Sequence, residues 1–269
     1  MNDKQSSNAN KLLAEGREVN ISYANDSSRP FTAVENVSFR VWQGEKLVLI
    51  GPSGCGKSTL LKALAGFVPI SGGELLSCGS PVTSPGPDRA VVFQEFDQLF
   101  PWQTVQGNLL YALKRVKNVS GKTAVARAQE LLELVGIGNA ADKYPHMLSG
   151  GMKMRVAIAR ALALEPRMLL LDEPFAALDA ITRRQLQFEL NRIWKQTGLT
   201  LLMVTHSIEE AVFLGHRVLV MTPAPSTVRE TVDTRAVEDF DDPRFSHYVS
   251  RLNDLLVHPE QVDLESKRI

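Results

Sequence analysis

Gly51-Pro52-Ser53-Gly54-Cys55-Gly56-Lys57-Ser58-Thr59 is the stretch whose reading decides the fold of this chain. It fits G-x-x-x-x-G-K-[ST], a loop whose backbone wraps phosphate groups. The neighbours supply the context such a loop needs. Lys46-Leu-Val-Leu-Ile50 before it is an apolar run of strand length. Thr59-Leu-Leu-Lys-Ala-Leu-Ala65 after it favours helix, with Gly66 placed to stop it. Gly51, Gly54 and Gly56 let the backbone curl so that its N–H groups turn inward. The helix N-terminus adds positive potential at the same place. Lys57 is expected to reach the β- and γ-phosphates, and the Ser58 hydroxyl to ligate Mg²⁺. The plain alternative is a glycine turn that caps a helix, and the strand and helix on either side argue against it.

Outward from this unit the hydrophobic period changes several times. Upstream, Val19, Ile21 and Tyr23 alternate with polar residues, as do Val37, Phe39 and Val41, which predicts two strands of a half-exposed antiparallel sheet. The turn-rich Asn25-Asp-Ser-Ser-Arg-Pro30 lies between them. Downstream, residues 67–90 read as loops around short strands, and Val91-Val-Phe93 as a short buried strand ending at Gln94. From Thr104 to Leu164 the spacing is helical. Leu109, Leu110 and Leu113 share one face, and Ala124, Ala128, Leu131, Leu132 and Val135 share another that ends at Gly136. Ser149 is expected to cap a third helix. Parallel-strand runs then return at Met168–Leu171, Leu199–Thr205 and Arg217–Met221, with a further strand over Thr227–Val232. Helices are expected over Thr182–Gln196, closed by Gly198, and over Ile208–Leu214, opened by a Ser207/Glu210 capping box. Asp242-Pro243 opens a last helix with Phe245, Val249, Leu252 and Leu256 on one face.

These readings give an α/β fold: a P-loop core with an antiparallel β subdomain and an inserted helical subdomain. The expected boundaries are a mobile tail over 1–17, a nucleotide-binding domain over 18–233 with its helical subdomain near 95–165, and a C-terminal extension over 234–269. The 269 residues hold 30 Lys+Arg and 30 Asp+Glu, a balance that gives no electrostatic reason to expect nucleic acid. The only cysteines are Cys55 and Cys78, and Cys55 lies inside the phosphate loop, which suits a reducing compartment better than a disulfide. Met1–Gly16 is polar with no apolar core, so it is not read as a secretory signal. No run of 18 apolar residues predicts a membrane span. His146, His216, His247 and His258 have no spaced metal partners and read as surface or loop histidines; Trp42 and Trp194 read as packing residues.

Two further motifs carry chemistry. Asp172-Glu173 follows the apolar Leu169-Leu-Leu171. Asp172 at a strand end suits Mg²⁺, and Glu173 suits a general base that polarises the attacking water. Leu148-Ser149-Gly150-Gly151 opens a helix and makes a second anion cradle. One nucleotide does not need two cradles, so the second is expected to serve the ATP held by another copy of the chain.

Taken in this order, the motifs resemble those of the ATP-binding cassette (ABC) ATPases over nearly all of residues 18–222. The resemblance implies that Tyr23 stacks on adenine and that Gln94 is the Q-loop residue near Mg²⁺ and water. It makes Ser149, Gly150 and Gly151 the signature, Asp179 the D-loop residue facing the partner subunit, and His206 the switch histidine at the γ-phosphate. A closer likeness, in Leu99-Phe-Pro-Trp102, Asp172-Glu-Pro-Phe175 and Glu209-Glu-Ala-Val212, is to the nitrate/sulfonate/taurine-type importer ATPases of bacteria. Two departures stand out. Met152-Lys-Met-Arg155 replaces the usual Gln-Arg-Gln-Arg, and Ser207 replaces the usual Asp. Ser and Asp cap helices about equally well.

The function implied is an ATP-binding and hydrolysing subunit, cofactors ATP and Mg²⁺, at the cytoplasmic face of the cell membrane. Its implied partners are a second copy of itself, integral-membrane permease subunits and, indirectly, a solute-binding protein, with uptake of a small anion such as a sulfonate, taurine or nitrate. Phe96, Leu99, Phe100, Pro101 and Trp102 form an apolar stretch that reads either as the lip of a permease-docking groove or as an anchor of the helical subdomain. A soluble ABC ATPase of DNA repair or translation is the rival reading; the single cassette, the insert of about 60 residues and the lack of C-x-x-C disfavour it. A P-loop kinase or GTPase would leave Leu148-Ser-Gly-Gly151 unexplained.

Overall fold

The computed structural model describes residues 11–24, 30–94 and 98–257. The chain divides into two compact units. One is built from the residues up to Pro85 and from Leu201 onward, the other from Gly86–Thr200.

The first unit opens with β1 (Leu12–Tyr23) and β2 (Phe31–Trp42), antiparallel, with Val19 opposite Val37 and Tyr23 opposite Phe31. β3 (Lys46–Ile50) and α1 (Lys57–Ala65) flank the phosphate loop, and β4 (Gly72–Ser77) and β5 (Ser80–Pro81) complete a sheet in the order β2-β1-β4-β5. Val19, Ile21, Val37 and Val41 are buried on its inner face, as alternation predicts. β1 starts earlier than expected, at Leu12, so residues 12–17 are strand and not tail. The cause is local. Glu18 has φ 48° and the register slips between Gly16 and Val19, an irregularity that interrupts the alternation and hides Leu13, Ala14 and Glu15 from a period-two reading. Residues 1–10 and most of the expected 25–30 turn lie outside the described residues.

The second unit holds β6 (Arg89–Val92), α2 (Val105–Lys117), α3 (Gly121–Leu134), α4 (Gly150–Leu162), β7 (Met168–Asp172) and α5 (Ala180–Thr197). Two single 3₁₀ turns, Gly138–Ala140 and Pro145–Met147, link α3 to α4. β6 and β7 are parallel, Val92 opposite Leu171. The three consecutive helices bury Leu109, Leu113, Ala124, Ala128, Leu131 and Leu132, as the helical spacing predicts, whereas Leu110, expected on the same face, is half-buried. Arg155 Nη1 donates to the Val135 carbonyl at 2.8 Å, a cation placed on the C-terminal end of α3. Gly198, at φ 63°, ends α5.

The chain returns to the first unit through β8 (Thr200–Val204), α6 (Ile208–Leu214), β9 (Arg217–Met221), β10 (Val228–Asp233) and α7 (Pro243–Val257). β3 lies between β8 and β9 and runs parallel to both, and β10 is antiparallel to β9. Every residue of β3 and β8 is buried, which is why these strands read as unbroken apolar runs. Before α7, the Asp242 carboxylate accepts the Arg244 N–H at 2.9 Å and the Arg244 guanidinium at 2.7 Å. Phe240 stacks on Phe213 of α6 at 3.9 Å. The buried face of α7 is Leu252 and Leu255; Leu256, expected there, is half-buried. Among the described residues no helix is long and apolar enough to cross a membrane.

Candidate active site

The first unit brings together the phosphate loop, Tyr23 and His206. The loop leaves β3 at Gly51 and enters α1 through Gly54 and Gly56, at φ 77° and 103°. Both conformations are cheap only for glycine. At Gly56 space adds a second demand, since a Cβ there would lie 2.9 Å from the Ala33 carbonyl oxygen. Lys57 is 5% exposed. Its ammonium donates to the Gly51 and Pro52 carbonyls, each at 2.9 Å, which folds the charge back over the first residues of its own loop. Pro52 also accepts the Cys55 N–H at 3.3 Å, and the Cys55 thiol is free and buried 3.8 Å from the Lys57 Nζ. Ser53, Ser58 and Thr59 complete the loop and the first turn of α1.

Tyr23 ends β1 with its ring 40% exposed and its hydroxyl 3.5 Å from Thr59 Oγ1, beside that first turn. His206 arrives from the other side. β8 runs parallel to β3 with Val204 opposite Leu49, and the Thr205 N–H donates to the Leu49 carbonyl at 3.2 Å. His206 therefore leaves the sheet at the edge where the phosphate loop begins, and it is exposed. The capping box after it differs from the expected one. Ser207 Oγ accepts the Glu210 N–H at 3.3 Å, as predicted. The Ser207 N–H donates to Thr205 Oγ1 at 3.0 Å, and the Thr205 hydroxyl donates to the Glu210 carboxylate. The box thus closes through a buried Thr205, which holds the backbone on both sides of His206.

The second unit carries Gln94, Asp172, Glu173, Ser149, Gly150, Gly151 and Asp179. The in-register β6 and β7 bring Gln94 and Asp172 to the same strand ends. Gln98, not singled out in sequence, pairs with the Phe93 backbone: its Nε2 donates to the Phe93 carbonyl at 2.9 Å and its Oε1 accepts the Phe93 N–H at 3.2 Å. The amide group so replaces a strand partner just before Gln94. Asp172 is 7% exposed at the end of β7. Glu173 follows at φ 46°, in the left-handed region. That conformation is uncommon outside glycine, and strain of this kind concentrates where a side chain must be aimed. The Gln94 amide oxygen and the Asp172 carboxylate are hard oxygen donors of the kind Mg²⁺ takes, and Ser58 of the first unit carries a hydroxyl of the same kind. Among the described residues no cluster of three or more His, Cys, Asp or Glu could hold a metal.

Ser149 caps α4 in extended conformation, its Oγ accepting the Met152 N–H at 3.3 Å. Its O–H and the first N–H groups of α4 are donors at the mouth of the cradle. Asp179 caps α5 by accepting the Thr182 N–H at 3.0 Å.

The apolar stretch after Gln94 divides. Phe96 lies outside the described residues. Leu99 is 3% exposed and belongs to the core, whereas Trp102 is 70% exposed. Half-buried Phe100 packs edge-on against Tyr111 at 4.8 Å and lies 5.4 Å from Trp102. The loop is held by Asn108, which is fully buried and which sequence reading missed. Its side chain accepts the Phe100 N–H at 2.8 Å and donates to the Thr104 carbonyl at 3.0 Å. The available signal was a polar residue on the apolar Val105/Leu109/Ala112 face of α2. A groove of about 330 Å³ beside this loop is lined by Phe100, Tyr111, Val116, Ala161 and the cations Arg115 and Arg160. His216, read as a surface or loop histidine, is half-buried; burial, Lys46 and Arg235 lower its pKa to about 4.

Residues 34–176 match the family model described as ABC transporter. The chain is 49% identical over 218 residues to the nitrate import ATP-binding protein NrtD of Synechococcus elongatus, covering 80% of this chain and 77% of that one. The chain belongs to the ABC transporter family. It is also 48% identical over 222 residues to the taurine import ATP-binding protein TauB of Rhizobium johnstonii, covering 82% and 84%. Among solved structures, the dimeric post-hydrolysis state of the ATP-binding cassette MJ0796 with ADP and Pi superposes at TM-score 0.72. Its sequence identity is 29%, over 83% of this chain and 99% of that one. As an ABC cassette, the chain binds and hydrolyses ATP.

Proposed function

We propose that this chain is the ATP-hydrolysing subunit of an importer for a small anion, in the class of nitrate or a sulfonate such as taurine. The observation that carries the reading is the buried Asp172 followed by the strained Glu173, in a chain with a complete phosphate loop and close likeness to nitrate and taurine import ATP-binding proteins. Lys57 and the loop amides bind the β- and γ-phosphates, and Tyr23 stacks on adenine. Ser58, Gln94 and Asp172 would hold Mg²⁺, which neutralises phosphate charge when bound. Glu173 takes a proton from the attacking water as its oxygen bonds to Pγ and the bond from Pγ to the bridging oxygen breaks, leaving ADP and inorganic phosphate. His206 steadies the γ-phosphate.

Two copies act together, Ser149, Gly150 and Gly151 of each completing the site of the other, with Asp179 facing the partner. Trp102 and the adjoining groove receive a cytoplasmic segment of the permease, which places the chain at the cytoplasmic face of the membrane. A solute-binding protein delivers the anion from outside. The test is Glu173→Gln. It should retain ATP, accumulate as an ATP-bound dimer and turn over about 10²–10⁴ more slowly, the usual worth of a positioned base. Near-normal hydrolysis would sink the assignment.

A further inference from the structure

We propose that Thr182 is a positioning residue that ties the D-loop cap Asp179 to the signature turn at Gly151, so that the two motifs shift as one piece. The inference rests on the proposed roles of Ser149–Gly151 and Asp179 and adds a mechanical link between them.

The starting observation is a close approach. A Cβ on Gly151 would lie 2.5 Å from Thr182 Cγ2 and 3.6 Å from Leu186 Cδ1. Gly151 is the second residue of α4 and has no left-handed backbone. Conformation therefore does not demand glycine there; space does. A flexible neighbour could swing aside, but Thr182 is held. Its N–H donates to Asp179 Oδ1 at 3.0 Å, which fixes its backbone. A β-branched side chain is stiff at χ1. From that backbone the methyl lies on Gly151. The segment ahead is fixed as well. Arg183 Nη2 donates to the Leu178 carbonyl at 2.9 Å, and the Arg183 N–H to the Asp179 carbonyl at 2.9 Å. Residues 178–183 thus form a hook whose methyl sits on the first turn of the signature helix. A displacement of Asp179 reaches Ser149 and Gly150 through van der Waals contact.

The test is a rescue series in the full chain, read by ATP turnover, ATP affinity and melting temperature. Gly151→Ala should lower kcat by about tenfold to a hundredfold, the scale of an ångström-level misplacement, with ATP affinity kept. Thr182→Ser removes the methyl and keeps the backbone N–H on Asp179. The Gly151→Ala/Thr182→Ser double variant should therefore recover most of the loss, relative to Thr182→Ser alone. A double variant as slow as Gly151→Ala would overturn the proposal, because Gly151 would then be small for the sake of nucleotide or partner and not of Thr182. If Gly151→Ala fails to fold, Thr182→Ala decides. It removes the methyl from Gly151 and keeps the backbone N–H on Asp179, so kcat should fall several-fold at unchanged melting temperature. Wild-type turnover in that variant overturns the link. Mixing Lys57→Ala with Ser149→Arg chains tests the shared site without touching Gly151 or Thr182, which keeps the two failures distinguishable.

Discussion

Tyr23 joins a strand end to the first turn of α1, through a hydroxyl 3.5 Å from Thr59 Oγ1, and leaves much of its ring uncovered. An uncovered ring at the edge of a phosphate loop suits a stacking platform. Tyr23→Ala should weaken ATP binding by about 1–3 kcal/mol, the range for base–aromatic stacking, while Tyr23→Trp should be tolerated. Titration with a fluorescent ATP analogue reads both, and unchanged affinity in Tyr23→Ala would make Tyr23 a strand side chain only. His216 permits a different prediction. Its pKa falls from the ordinary 6.5 to about 4 because burial, Lys46 and Arg235 all oppose its charge, with Asp233 weakly favouring it. The unfolded chain then takes up the proton first as pH drops. Stability is present in full above the unfolded value and is lost as pH falls from about 6.5 toward 4. His216→Gln should flatten that slope in urea midpoints measured between pH 7.5 and 5, and an equally steep slope in the variant would exclude His216 as its source. The chemistry proposed for Lys57, Asp172 and Glu173 rests on residue type and order in the sequence. The left-handed backbone of Glu173 and the burial of His216 do not show there, and Lys46 meets His216 only through the pairing of β3 with β9.

At the scale of elements, the loop from Phe100 to Thr104 is organised by Asn108 and offers Trp102 to solvent. Exposure of 70% argues against the core-anchor reading of that tryptophan. A core anchor truncated to Ala would cost about 3–5 kcal/mol of folding stability. An exposed residue should cost within about 0.5 kcal/mol, and as an interface anchor it should cost about 2 kcal/mol or more of docking. Trp102→Ala should therefore melt near the wild-type temperature, bind ATP normally and co-purify poorly with the permease. A large melting loss with normal assembly would reject the docking role. Two helix caps were legible at this scale, since Ser149 and Ser207 each accept the N–H three residues on; Asp179 does the same for α5, a role the sequence reading did not assign. The reach of β1 to Leu12 was not, because the irregularity at Glu18 interrupts the alternation on which strand reading depends.

For the molecule as a whole, we propose that the turn opened by Ser149 and the loop around Lys57 contact the two faces of a nucleotide shared between copies. Chains carrying Lys57→Ala and chains carrying Ser149→Arg should each be inactive alone. Mixed in the full transporter, they should regain part of the ATPase activity, because one site then combines the intact loop of one chain with the intact signature of the other. No recovery on mixing would mean that the sites work within one chain or that both must fire together.

The order and spacing of Gly51–Thr59, Leu148–Gly151, Asp172-Glu173 and His206 determined the family and the reaction without coordinates, because phosphate binding needs particular residue types at short range. The unbroken apolar runs of β3, β7 and β8 likewise marked strands covered on both faces. Tertiary structure alone decided where the remaining polar groups went. Asn108 turned inward to hold a loop, Gln98 took the place of a strand partner, Thr205 closed a cap, and Thr182 pressed its methyl on Gly151. Each of these depends on which buried N–H or carbonyl lacks a partner, or on which atoms compete for one space. Thr182 meets Gly151 only once two helices pack, and the other three, though local in sequence, are settled by the path that the surrounding packing gives each loop.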